Sequence, residues 1–360
     1  MVKKYISHIS LDFTKNFFKI SIIFILLIFI LNLFEELSFF KNVNNRFYYS
    51  LMMSLLNVPS VFFSILPFVF LITTQFYFMK LFERDELIIF KLNGLSNNRI
   101  MLILCALSLI LSILLSTVFY NFSAKLKFLY LDLKNQYSKD NKYLAVITEN
   151  GLWIKDTKNQ KNSFINATQL KKNKLYGVSI STFDEDFKMT KNIFSKEADI
   201  KETNWVLKKV QILELGSKVK NQEELIFPTN FNYSSITSLF SNLSSLTFLQ
   251  LYHMDKKYKE FGYDGNLNLE IHIHKLISYP FYILIMTLLA TIIMFNLKKD
   301  GNTFSFILIG IFCSVIIYYI NYFFNIIGET GKLPIIFSIW IPLIFLFFLS
   351  MIGVVNLNEK

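Results

Sequence analysis

The sequence predicts an α-helical membrane protein with six transmembrane helices and an all-β, jelly-roll-like domain inserted between the third and fourth. Three observations carry that prediction. Hydrophobic residues make up 53% of the 360, phenylalanine alone contributes 40, and mean hydropathy is +0.42. Long runs carry no Asp, Glu, Lys or Arg, and most of the charge is confined to one central stretch. A soluble domain of ordinary composition is about 25% charged, with the charge spread along the chain; here it is 18%. A soluble enzyme, a disordered chain and a disulfide scaffold are thereby excluded.

The charge-free runs are 47–79, 100–124, 276–297, 301–328 and 333–358, and a sixth apolar segment, 20–40, is broken only by Glu35 and Glu36. Crossing a hydrocarbon core takes about 20 mostly apolar residues. Backbone groups in lipid must bond within their own segment, so each run is expected to be a helix. The spans fall at 20–40, 58–79, 100–122, 274–296, 304–326 and 334–356. The first is too long, and lacks the small-residue site, for a cleavable signal peptide.

Lys and Arg near the span ends orient the bundle. One side holds Lys3, Lys4, Lys15, Lys19, Lys80, Arg84, Lys91, Arg99, Lys298, Lys299 and Lys360; the short segments of the other hold Lys41, Arg46 and Lys332. The richer side is expected to be cytoplasmic, with both termini, which places the insert outside. Three regions follow: 1–124 with spans one to three and a cytoplasmic helix at 80–96, the β domain at 125–250, and 251–360 with a connector helix and spans four to six. Cys105 and Cys313 both lie in spans, so the insert has no disulfide framework.

Within the insert, short apolar groups at 144–147, 151–154, 178–183 and 205–215 alternate with turn-forming clusters, and Val178/Ile180 and Trp205/Leu207 show period-two spacing. Such short strands point to a sandwich or jelly roll. After Pro228, Leu246, Leu249, Tyr252 and Lys256 take helical spacing, with Ser244–Ser245 as a start signal and Gly262 as a stop.

The segment from Lys80 to Ser96 reads as a short charged amphipathic helix, with Asp85 and Glu86 in its first turn and Gly94 at its C-cap. Leu87, Ile88, Ile89 and Phe90 are costly to expose, so they call for lipid headgroups or a protein partner. Glu270, His272 and His274 form E-x-H-x-H, but on a helix residues two apart diverge and share no ion. Gly328–Lys332 has the wrong glycine spacing for a phosphate loop. No catalytic constellation, metal site, cofactor site or basic–aromatic interleaving for nucleic acid is visible.

Four stretches resemble the LptF/LptG family of lipopolysaccharide-export permeases. Arg84-Asp85-Glu86-Leu87 followed by Gly94 is similar to its R-S-E-L…G coupling helix. Gly151-Leu152-Trp153-Ile154-Lys155-Asp156 with Asn162-Ser163-Phe164-Ile165 is similar to the opening of its periplasmic jelly roll. Leu243–Leu246 through Lys257-Tyr258 to Gly262 resembles its helix before span four, and Gly331-Lys332-Leu333-Pro334 with Trp340-Ile341-Pro342 its entry to span six. The Gly-Leu-Trp element leans toward LptG.

The resemblance implies an inner-membrane ABC-transporter permease that extracts lipopolysaccharide and passes it to a periplasmic bridge. It implies as partners an LptB-like ATPase dimer, which alone hydrolyses ATP, a sister permease, LptC and LptA. Glu86 would engage the ATPase, with Arg84, Leu87, Phe90 and Gly94 around it. The family's headgroup-binding lysines at the outer end of span one are missing; Asn32, Ser38 and Phe39 stand there, and Lys41 and Arg46 are the nearby substitutes. The rival reading is a membrane-anchored sensor or scaffold with a ligand-binding outer domain, which short cytoplasmic loops disfavour.

Overall fold

The computed structural model describes residues 2–41, 45–137, 152–158, 161–171, 173–184, 188–214, 219–233, 236, 242–260, 267–296 and 303–358. The apolar group at 144–147, Gly151, Gly262, Lys298, Lys299 and Lys360 lie outside them. The chain divides into two compact units, Met1–Lys127 with Asn266–Lys360, and Phe128–Gly265.

The helices of the first unit are α1 (Val2–Phe39), α2 (Arg46–Glu83), α3 (Glu86–Leu92) and α4 (Asn97–Leu114). The last runs through a π-helical turn, Leu115–Phe119, into α5 (Tyr120–Tyr137). The second unit holds strands β1 (Leu152–Lys158), β2 (Lys161–Lys171), β3 (Lys174–Phe183), β4 (Met189–Asp199), β5 (Asn204–Glu214) and β6 (Lys220–Pro228), then α6 (Phe248–Glu260). The chain ends in α7 (Leu267–Phe295), α8 (Thr303–Glu329) and α9 (Ile335–Asn358) of the first unit.

Six helices are long and apolar enough to cross a membrane: Tyr5–Phe39, Arg46–Glu83, Asn97–Lys134, Leu267–Phe295, Ser305–Glu329 and Ile335–Leu357. The first three have 35, 38 and 38 residues. At about 1.5 Å per residue each exceeds 50 Å, well beyond a hydrocarbon core of about 30 Å, so turns of each extend past it. The basic, polar start of α1 is therefore helix rather than tail.

α2 and α7 form the centre of this unit. Of their most apolar windows 56% and 50% are buried, against 22% for Asn97–Lys134 and for Ser305–Glu329. Small residues allow the close approaches. A Cβ on Gly310 of α8 would lie 1.9 Å from Gln75 Nε2 of α2, and that amide donates to the Phe306 carbonyl at 3.0 Å. A Cβ on Gly353 of α9 would meet Ile292 of α7 at 2.9 Å. Pro67 inside α2 removes the donor for Phe63, and Tyr279 of α7 donates its hydroxyl to that carbonyl instead.

The six strands form one antiparallel sheet in chain order, each hydrogen-bonded to the next. Its inward side chains enclose a core that includes Ile154, Ile165, Val178, Ile180, Ile193, Trp205, Leu207 and Ile212, closed by Phe231 and Ile236 from beyond β6. Trp205 Nε1 donates to the Phe231 carbonyl at 2.7 Å, and Asp156, 2% exposed, accepts from the backbone and side-chain nitrogens of Asn230 at 3.2 and 2.8 Å. These bonds tie the segment after β6 back across the sheet.

A single sheet can cover its own core only if it bends. In β2 the inward set changes parity between Ala167 and Leu170, in β3 between Leu175 and Val178, in β4 between Ser195 and Ala198, and in β5 between Leu207 and Val210. The flanking registers place Thr168, Gly177, Lys196, Lys209 and Glu223 in one row, and the ladder skips that row in each pair from β2 to β6. Gly177 has φ +59° and Lys209 φ +53°; the latter costs a residue with a Cβ about 1–2 kcal/mol. Hydroxyls fill carbonyls beside the crease: Ser195 Oγ lies 2.8 Å from the Glu197 oxygen and 2.7 Å from that of Lys208, and Thr168 Oγ1 donates to Tyr176 at 2.8 Å.

The helix expected after Pro228 starts later than its serine pair suggests. Ser244 and Ser245 belong to a 3-10 turn capped by Asn242, whereas Thr247 and Gln250 form the reciprocal cap of α6: Thr247 N to Gln250 Oε1 at 2.8 Å and Gln250 N to Thr247 Oγ1 at 3.4 Å. Leu251 and Met254 face inward, while Leu249 and Tyr252 are exposed.

Candidate functional site

Three of the five residues expected around the coupling position, Glu86, Leu87 and Phe90, sit on one seven-residue helix, with Arg84 two residues before it and Gly94 two residues after it. α2 ends at Glu83, Arg84 and Asp85 form a turn, and α3 occupies only 86–92 of the 80–96 segment. Asp85 precedes it in left-handed backbone at φ 53° without a side-chain cap. At the other end Gly94 has φ +83°, its N–H donates to the Lys91 carbonyl at 3.0 Å, and Leu95 N–H donates to Phe90 at 3.0 Å. That pair of bonds is a Schellman motif, accompanied by burial of both Leu95 and Phe90. The sharp stop at Gly94 therefore returns the chain directly into α4.

The apolar run of α3 divides between two environments. Leu87 and Phe90 are buried within the chain itself, which corrects the expectation that all four apolar residues need an outside partner. The Tyr5 and His8 rings meet Phe90 edge-on, at centroid separations of 5.9 and 6.2 Å. One turn further along α1, Phe13 is fully buried against Tyr77 of α2 at 5.7 Å. Ile88, Ile89 and Leu92 stay exposed, the last at 82%.

Charged groups surround this contact. Glu86 lies 3.7 Å from His8 Nε2 and 3.6 Å from an Arg84 nitrogen; Asp12 lies 3.8 Å from His8 and 3.7 Å from Lys80 Nζ. Partly exposed pairs at such distances contribute about 0–1 kcal/mol each. Burying a Phe or Leu side chain contributes about 1.5–3 kcal/mol. Packing therefore fastens α3 to α1, and the charges set its orientation. Ligand atoms of His8, Asp12 and Glu86 fall within 4.8 Å of one another, the spacing of a metal site. Lys80 and Arg84 already compensate both carboxylates, so the donor set suits an ion-pair network better than a cation.

His8, Asp12 and Tyr5 were not among the residues singled out from the sequence. Their signal was the amphipathic start of α1, with Ile9, Phe13 and Phe17 buried at helical spacing and polar residues between them. Only the pairing with α3 gives that pattern a purpose.

Lys41 and Arg46 are exposed at the α1–α2 connection and make no ion pair among the described residues. Glu36 is 1% exposed, while Glu35 faces outward. Towards the same end, Asn32 is buried and accepts from Asn57 Nδ2 at 3.3 Å, and Lys127 of α5 donates to Asn57 Oδ1 at 2.7 Å. A base from a distant part of the sequence is thus linked to Asn32 through the Asn57 side chain. His272 and His274 lie on α7, with His272 Nε2 3.0 Å from the Tyr120 hydroxyl.

A bundle of six apolar helices, a short helix joining two of them at one end, and a β domain inserted between the third and fourth define a multi-pass membrane protein with one inserted polar domain. The model for the lipopolysaccharide export system permeases LptF/LptG matches residues 8–355, and the chain belongs to that family. It is thus a multi-pass inner-membrane protein with a role in lipopolysaccharide export. Comparison with curated proteins returned no match.

Proposed function

We propose that this chain is one permease half of an ABC transporter that extracts lipopolysaccharide from the inner membrane and delivers it to a periplasmic bridge. A sister permease supplies the other half, an LptB-like ATPase dimer drives the pair, and LptC and LptA act downstream in passing on the lipid. Both termini are cytoplasmic and the β unit is periplasmic, in line with the uneven distribution of Lys and Arg at the span ends. The Gly-Leu-Trp element at 151–153 favours the LptG side of the family.

The observation that carries this reading is the attachment of α3 to α1. A helix that receives force from an ATPase must be short, rigid and fastened to a span that moves. α3 has both ends fixed, Phe90 buried beneath α1, and Ile88, Ile89 and Leu92 exposed for a partner to grip. Glu86, 20% exposed at its side chain, opens the same helix 3.7 Å from His8. Displacement of α3 is passed to α1, whose far half exposes Ile23, Leu27, Ile30 and Phe34 as an apolar wall. Such a wall suits acyl chains and the sister permease.

The test is reconstitution with the co-purified ATPase and sister subunit. Glu86→Ala is expected to preserve assembly and ATP hydrolysis while reducing lipid extraction by at least about tenfold, the loss of one charge-assisted contact. Undiminished extraction would remove Glu86 from the mechanism. Failure of any ATPase to co-purify with the wild-type chain would overturn the permease reading itself.

A further inference from the structure

The geometry points to a binding groove for a phosphorylated saccharide on the outward face of the β unit, across the crease in its sheet. The groove has a volume of about 720 Å³ and is built from two neighbouring outward rows. In one row Ser179, Phe194, Gln211 and Asn221 stand side by side on β3, β4, β5 and β6. In the other, the skipped row, Gly177 at one end makes room for the Thr168 side chain, which an added Cβ would meet at 2.5 Å, and Lys196 and Lys209 line the groove beside it. The row between them, Val178–Ser195–Val210, turns its side chains into the core.

This set of groups fits one chemistry. Phe194 is 42% exposed, a flat apolar platform of the kind on which a sugar ring stacks. Gln211 and Asn221 supply planar amides that both donate and accept, matching vicinal hydroxyls. The two lysines call for an anion. Other lysines of this sheet are paired with carboxylates: Lys174 with Glu197 at 2.6 Å, Lys191 with Glu214 and Lys208 with Glu224, both at 3.8 Å. Lys196 and Lys209 make no ion pair among the described residues, although Glu223 lines the same groove. Lys209 reaches its place only by taking left-handed backbone at φ 53°, and strain held at a cavity wall is a mark of function.

The inference rests on the family's role in lipopolysaccharide export for its source of ligand: the phosphorylated saccharide headgroup of that lipid, held outside the sheet while its acyl chains stay in apolar surroundings.

The test uses the full chain purified in detergent without any ATPase, titrated by calorimetry with a diphosphorylated glucosamine disaccharide lacking acyl chains. Binding is expected, and it should weaken about tenfold for each lysine removed in Lys196→Gln and Lys209→Asn. Asn tolerates the left-handed backbone, and near-ultraviolet dichroism of Trp205 reports that the fold is kept. Phe194→Ser should weaken the phosphorylated disaccharide without changing the affinity for inorganic phosphate. Equal binding of the unphosphorylated disaccharide, unchanged affinity in the lysine variants, or full competition by inorganic phosphate at equal concentration would overturn the proposal. So would binding confined to the intact acylated lipid. Because no ATPase is present, loss of transport in the reconstituted complex with intact disaccharide binding counts against the permease reading and leaves the groove standing.

Discussion

The hydroxyl of Tyr279 donates to the backbone carbonyl of Phe63, the acceptor that Pro67 leaves without its helical donor, and their rings stack at a centroid distance of 4.6 Å. In hydrocarbon no water replaces that donor. Tyr279→Phe keeps the stacking and removes only the hydroxyl. It is expected to destabilise the bundle by about 1 kcal/mol, the scale of polar contacts between membrane helices. Thermal unfolding in detergent measures this; a Tm equal to that of the wild-type chain would show that the carbonyl is satisfied some other way.

Gly310 provides a sharper steric case, since a Cβ there would lie 1.9 Å from Gln75 Nε2. Gln75 is fully buried and donates to Phe306 one turn earlier on α8. Gly310→Ala should lower stability by about 1–3 kcal/mol, as overpacking does. Adding Gln75→Ala should recover part of that loss, a non-additive result expected for neighbours in contact. Strict additivity in a double-mutant cycle would contradict the packing described.

For α3, the ranking of forces is itself testable. Phe90→Ala removes a side chain buried against α1 and should cost about 3 kcal/mol. His8→Ala removes a half-exposed partner of Glu86 and an edge contact to Phe90, and should cost under about 1 kcal/mol. Hydrogen exchange of the amides of 86–92 reads both. Comparable loss of protection in the two variants would mean that charge, not packing, fastens the helix.

Asp156 closes the β unit through two hydrogen bonds to Asn230. Asp156→Ala removes both carboxylate acceptors from the Asn230 nitrogens at a side-chain position that is 2% exposed, and should destabilise this unit by about 2–3 kcal/mol. Asp156→Asn, which keeps one acceptor, should recover part of it. Urea unfolding followed by Trp205 fluorescence distinguishes the two. Identical midpoints for Ala and Asn would show that the carboxylate is not what ties the segment.

Much of the architecture was legible before the structure. The spans were readable because a helix in lipid needs an uninterrupted apolar run, and the Gly94 stop was readable because few residues other than glycine sit easily at φ +83°. The length of α1 was less so. Its first turns carry Lys15, Lys19 and Asp12, which a hydropathy reading treats as flank rather than helix. The crease left a trace in Leu207-Lys208-Lys209-Val210, two polar residues between alternating apolar ones, but a single strand cannot reveal that its neighbours break at the same row.

By itself the sequence determined that six helices cross a membrane and that one polar, strand-rich segment is inserted among them, because transfer free energy acts on each segment separately. Which faces meet was decided only by the tertiary structure. In lipid, apolar side chains on the inside and outside of a bundle are chemically alike, so composition does not tell central α2 from peripheral α8. Contacts such as His8 with Glu86, Lys127 with Asn57, or Lys196 beside Lys209 join residues that no local pattern relates, and they arise only once packing and strand register bring them together.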